Sequence, residues 1–158
     1  MSEMIHVSKK HKVDFTICKR NHIWIYVTLT MLDETGTVLR MSDEEEMKKI
    51  FIFDTGAQNT ILSRNRAVDL GYHSCETKEK TKVSIGGNII LCSKVEIPDI
   101  IITDDIAVSK PIVLIPDDYT YNMNILGQDI LRIFNYYMDN QSHNIYFDIE
   151  NRKHEQFI

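Results

Sequence analysis

Apolar and polar positions alternate from Lys12 to Cys18, and Ile23 to Met31 is dense in β-branched and aromatic residues. Both runs predict strands, because branched and ring side chains pack well on a pleated surface. Trp24, inside the second run, is read as a core residue. Asp33-Glu34-Thr35-Gly36 supplies turn chemistry before Thr37 to Met41, which predicts a hairpin. Ser42 followed by Glu45 has the spacing of a capping box and predicts a short helical turn. Ile50-Phe51-Ile52-Phe53 is apolar without alternation, the pattern of a strand buried on both faces, and it stops at Asp54-Thr55-Gly56. Ser63 to Leu70 predicts a brief helix with Ser63 as cap and Gly71 as terminator.

Lys80 to Ile85 and Asn88 to Ile97 read as strands joined at Gly86-Gly87, a pair that permits a two-residue turn, so a projecting hairpin is expected. Asp99 to Thr103 and Ile112 to Ile115 follow as short strands, and Pro116 to Asn124 as a loop. Ile125-Leu126-Gly127 leads into a helix over 128–134 with one apolar side. Asn135 to Asp139 and Asn144 to Asp148 predict a closing hairpin whose aromatics, Tyr136, Tyr137, Tyr146 and Phe147, pack in the core or at an interface. Many short strands with about two short helices indicate an all-β barrel or sandwich.

The 158 residues suit one domain over 1–158. An apolar fraction of 43% and a charged fraction of 26% are those of a folded, water-soluble protein, which sets aside disordered, collagen-like and membrane classes. A net charge of −5 with scattered basic residues argues against a nucleic-acid partner. Neither a secretory leader nor a run of about 18 apolar residues is present, so no membrane partner and a cytoplasmic location are expected. Cys18, Cys75 and Cys92 form no CxxC pair and are read as reduced and structural, and the histidines have no HExxH spacing; neither metal nor cofactor is expected.

The stretch Phe51 to Ala57 carries the chemistry. Peptide hydrolysis without metal or covalent nucleophile needs a base to activate water and an acid to protonate the carbonyl and then the leaving nitrogen. Two carboxylates sharing one proton supply both. An apolar strand ending in Asp54 positions one such group. Gly56 lets a backbone N–H approach it, Thr55 offers a hydroxyl for main-chain bonding, and Ala57 leaves room.

Apolar-apolar-Asp-Thr-Gly-Ala at 52–57, then Ile85-Gly86-Gly87, then Ile125-Leu126-Gly127-Gln128-Asp129-Ile130-Leu131 resemble, in order, the retropepsin-like aspartic peptidases. The resemblance covers roughly residues 50–148, and the first fifty carry no motif of it. It implies a retropepsin-like closed barrel with one or two short helices and a flap hairpin. It further implies Asp54 as catalytic carboxylate supported by Thr55, Gly56 and Ala57, a flap contacting substrate through Ile85, Gly86 and Gly87, and Ile125, Leu126 and Gly127 packed behind the catalytic loop. The flap is poorer in glycine than viral examples, and 74–82 is polar and charged.

One Asp-Thr-Gly occurs, and a lone carboxylate forms no pair, so a homodimer with two Asp54 at its axis is expected, acting on an extended peptide as an aspartic endopeptidase. The alternative is a catalytically silent dimer of the same fold that binds peptide. Asp33-Glu34-Thr35-Gly36-Thr37 resembles the phosphorylated loop of cation-pumping ATPases, but that chemistry needs a parallel α/β domain and a nucleotide site, so Asp33 is read as a turn residue. Asp129 is assigned to helix capping or an intersubunit salt bridge.

Overall fold

The computed structural model describes residues 11–18, 20–39 and 47–148. The expected helical turn at Ser42 lies outside them. Strands β1 (Lys12–Ile17), β2 (Ile23–Thr28) and β3 (Lys48–Phe53) are followed by helix α1 (Arg64–Asp69) and a 3-10 turn (Tyr72–Cys75). Next come β4 (Glu76–Ile85), β5 (Asn88–Glu96), β6 (Asp99–Thr103), β7 (Ile106–Ser109), β8 (Ile112–Pro116) and β9 (Ile125–Leu126). Helix α2 (Gln128–Leu131) precedes β10 (Asn135–Asp139) and β11 (Asn144–Asp148).

The fold is mostly β, as the pattern predicts. One sheet runs β10-β11-β1-β2-β3-β9, with β6 attached to β2 and β7 to β6; a second contains β4-β5-β8. Pairing is antiparallel except where β3 meets β9, with Ile52 opposite Ile125 and Phe53 opposite Leu126. The expected closed barrel is not what this pairing gives, since the path among the described residues ends at β10 and β9 without joining them. The reason lies in the short β9, whose outer edge is taken by Ile61. Ile61 exchanges 2.8 Å bonds with Ile125, while Leu62 and Thr60 bond Leu114 of β8. The edge that would close a ring instead ties the two sheets together.

Strand β3 departs from expectation. Phe51 and Phe53 are buried, but Ile50 is 37% exposed and Ile52 only half-buried. Phe51 and Phe53 face the main core, while Ile52 on the other face packs only partly against a smaller apolar cluster. On that second face, Ile52 lies opposite Trp24 and Ile50 opposite Tyr26, so Trp24, 39% exposed, belongs to this outer face and not to the core. Under β3, Phe53 meets Tyr136 edge-on at 5.2 Å, and Phe147 packs against Phe134 at 5.8 Å. Tyr137 and Tyr146 stack with ring centroids 6.4 Å apart, and Tyr137 is half exposed. The closing hairpin thus gives the core Tyr136 and Phe147.

Three smaller differences have local causes. β7, which the sequence reading passed over, has only Ile106 and Val108 buried, too brief an alternation to stand out. β4 begins at Glu76, because pairing with β5 resumes across an irregularity between Glu76 and Lys80. Helix α2 stops at Leu131, after which Ile133 and Phe134 bond back to Ile130 and Leu131 as tighter turns. No helix among the described residues is long and apolar enough to cross a membrane.

Candidate active site

Asp54 follows the last residue of β3 and is half-buried, while Thr55 and Gly56 are exposed. Strand alternation carried one step past Phe53 sets Asp54 on the face of Ile50 and Ile52, away from the core. Its Oδ1 accepts a 2.9 Å hydrogen bond from the Gly56 N–H, and its carbonyl accepts from the Ala57 N–H at 3.3 Å. The carboxylate is therefore oriented by its own turn.

The turn is held from behind by the segment after β9. The Asp54 N–H donates to Leu126 O, Gln128 N–H to Ala57 O and Asp129 N–H to Gln58 O. Gln128 Nε2 donates to Thr55 O at 2.8 Å. Gly127 is required by close approach: a Cβ there would stand 2.5 Å from the Asn59 carbonyl oxygen. Ile125 and Leu126 are both buried.

Two residues of this support carry no family signal and were not singled out by the sequence reading. Thr60 is fully buried; its Oγ1 donates to Asp129 Oδ1 at 2.7 Å and accepts from the Gly127 N–H at 3.1 Å, and its N–H donates to Asp129 Oδ2. Asp129 thus anchors the chain leaving the Asp54 loop, and its Oδ1 also accepts from the Ile130 N–H at 2.9 Å in the first turn of α2. Asn124, also buried, accepts from the Ser63 N–H at 2.9 Å and donates through Nδ2 to Ile50 O at 3.0 Å. A polar residue directly before an apolar pair was the only signal available for it. Ser63 caps α1 as predicted, accepting from the Arg66 N–H.

The β4–β5 hairpin turns at Gly86 and Gly87, with φ of 57° and 84°, left-handed values at both positions that glycine adopts without strain. Its tip is open, and Ile89 is 75% exposed. Further back, Val83, Ile85 and Ile90 join Ala57, Tyr121 and Met123 around buried Ile61, Cys92, Leu114 and Ile125. Of the expected site residues, Ala57, Ile85 and Ile125 thus share one apolar cluster, whereas Gly86 and Gly87 lie at the exposed tip.

The base of the hairpin is tied down by charge. Lys80 Nζ donates to Asp117 Oδ1 at 2.7 Å and to Ser93 Oγ at 2.8 Å, and buried Arg64 reaches Asp117 at 3.2 Å and Pro116 O at 3.1 Å. The Lys80 hydrogen bond is the main reason the Asp117 carboxyl titrates below the usual carboxylate range. The outer face of β2 and β3 floors an open groove of about 920 Å³, lined by Trp24, Tyr26, Ile50 and Ile52 together with basic Arg20, Lys48, Lys49 and Arg66; among the described residues, neither Asp54 nor the β4–β5 hairpin lines it. Asp33 closes the early turn by accepting from the Thr35 and Thr37 N–H groups at 2.9 Å, as its turn reading requires.

Comparison with known proteins places this geometry in context. The model of the family described as "gag-polyprotein putative aspartyl protease" matches residues 44–133, more than half of the chain. No curated protein matches the sequence. Among solved structures, a retropepsin-like aspartic protease from Rickettsia conorii aligns over 93% of this chain and 96% of its own, with TM-score 0.56 at 14% identity. The retroviral protease-like domain of Ddi1 from Leishmania major aligns over 83% and 97%, with TM-score 0.51 at 15% identity. These two likenesses are of fold.

Proposed function

The chain belongs to the gag-polyprotein aspartyl protease family, and from that premise we propose that it is an aspartic endopeptidase whose active site forms between two copies of itself. The observation that carries this reading is the Asp54 turn: a half-exposed carboxylate on a rigid strand end, its Oδ1 bonded by Gly56 and its loop braced by Leu126, Gln128 and Asp129. The sequence holds a single Asp-Thr-Gly, so a pair needs a second subunit.

In the proposed dimer the two Asp54 carboxyls share one proton, because like charges about 3 Å apart do not both ionise. The ionised member takes a proton from water as the oxygen attacks the scissile carbonyl carbon, and the protonated member gives its proton to the carbonyl oxygen. Collapse of the tetrahedral centre breaks the C–N bond, the proton taken from water passes to the leaving nitrogen, and one hydroxyl of the former tetrahedral carbon returns a proton to the carboxylate that had given its own up. Water is thus split between the new carboxyl and amine ends, and the carboxyl pair is restored. Thr55 is assigned to main-chain bonding across the two-fold axis, and Gly56 and Ala57 to the shape of the loop. The β4–β5 hairpin, through Ile85, Gly86 and Gly87, is assigned as the flap over an extended peptide lying across the Asp54 turn, where main-chain bonding is the natural recognition mode for a strand. Residues 1–158 are taken as one domain, and the cytoplasm as its setting.

Purified protein offered a peptide library at mildly acidic to neutral pH is expected to cleave it, and Asp54→Asn to lose at least about a thousandfold in rate. Equal cleavage by the two proteins would overturn the mechanism, and a monomer at micromolar concentration by sedimentation would overturn the shared site.

A further inference from the structure

Tyr121 sits in the loop between β8 and β9, its ring in the apolar cluster that joins Ala57 to the strands of the flap-like hairpin. Its hydroxyl is buried, and among the described residues it has no hydrogen-bond partner. A buried hydroxyl without a partner is costly, and a phenylalanine would fill the same space without that cost. Burial, together with the charges of Cys92 and Asp54, pushes this phenol up to about 12, so the oxygen keeps its proton and acts as a donor throughout the neutral and acidic range. Ala57, from the turn that carries Asp54, shares the cluster with this ring.

Val83, Ile85 and Ile90 of the same cluster belong to the outer half of the β4–β5 hairpin. Strand β8 pairs with β5 from Cys92 to Glu96 and the Asp117 N–H bonds Leu91 O, so among the described residues the hairpin beyond Leu91 is a two-stranded ribbon without a bonded neighbour on the β8 side. An extended peptide entering beneath it brings a carbonyl at every residue, whatever its side chains.

We propose that Tyr121 is a peptide-binding residue whose hydroxyl donates a hydrogen bond to a main-chain carbonyl of the substrate close to the scissile bond. The proposal rests on the reading of the Asp54 turn and the hairpin as a peptide cleft, and its test separates the two. A peptide selected by affinity from a random library on the Asp54→Asn protein serves as probe. Adding Tyr121→Phe to that protein is expected to weaken the probe roughly tenfold, the effect of one hydrogen bond, while Tm stays level or rises because the orphan hydroxyl is gone. Affinities equal within about twofold would overturn the Tyr121 assignment, as would a fall in Tm, which would reveal a partner inside the protein. Cleavage of the same peptide by the wild type is scored separately. If it is not cut but Tyr121→Phe still weakens it, the endopeptidase reading falls and the contact stands; if it is cut and the affinities are equal, the reverse holds.

Discussion

Four hydrogen bonds meet at Thr60, a residue with no catalytic signature. Its N–H and hydroxyl both donate to Asp129, its Oγ1 accepts from Gly127, and its carbonyl accepts from the Leu114 N–H. Thr60→Val keeps the volume but leaves the Gly127 N–H and one Asp129 oxygen without this partner. The variant is expected to lose about 2 kcal/mol, read from the urea midpoint at unchanged slope. The sequence made Asp54, Gly56, Gly86 and Gly87 legible because their roles depend on local geometry: a strand end, a tight turn, a left-handed pair. Thr60 and Asn124 stayed hidden because their partners lie 69 and 74 residues away, and spacing in the chain does not encode such contacts.

Among the elements, the β4–β5 hairpin has a loose end and a fixed end. The tip is exposed and turns on two glycines, while the base is pinned where Lys80, Ser93 and Arg64 converge on Asp117. Because bonding to Lys80 lowers the Asp117 carboxyl, its stabilising effect is complete above the ordinary carboxyl value of about 4 and is lost as pH falls through the lowered one. Asp117→Ala, which takes a carboxylate from buried Arg64, is expected to cost about 1–2 kcal/mol at neutral pH. The gap to wild type should close in acid below about pH 4, and thermal melts across that range test both parts. Most elements could be read from apolar pattern and turn residues, including the glycine-turned hairpin and the helix capped by Ser63. The two misreadings at β3 and Trp24 share one cause, for an apolar run signals hydrophobicity without telling whether its second face meets a core or a groove.

For the whole molecule, the pattern gave the β class, but the open pairing path needed the structure, because whether β9 closes on β10 or passes its edge to Ile61 depends on a contact no local window contains. At this scale the proposed pairing of two Asp54 makes a quantitative demand. If wild-type and Asp54→Asn subunits mix freely and one carboxylate is not enough, an equal mixture should retain about a quarter of the activity of the same total amount of wild type. Retention near one half would indicate that each subunit works alone. The parallel seam between β3 and β9 has a temporal meaning as well. The acid-bearing loop is built early in the chain, yet Leu126, Gln128 and Asp129, which brace it, leave the ribosome long afterwards. A nascent chain that has emerged only as far as Asn124 carries its aspartate on an unbraced loop. Under the proposed chemistry, cutting power therefore waits until the segment through Asp129 has emerged and folded against the loop.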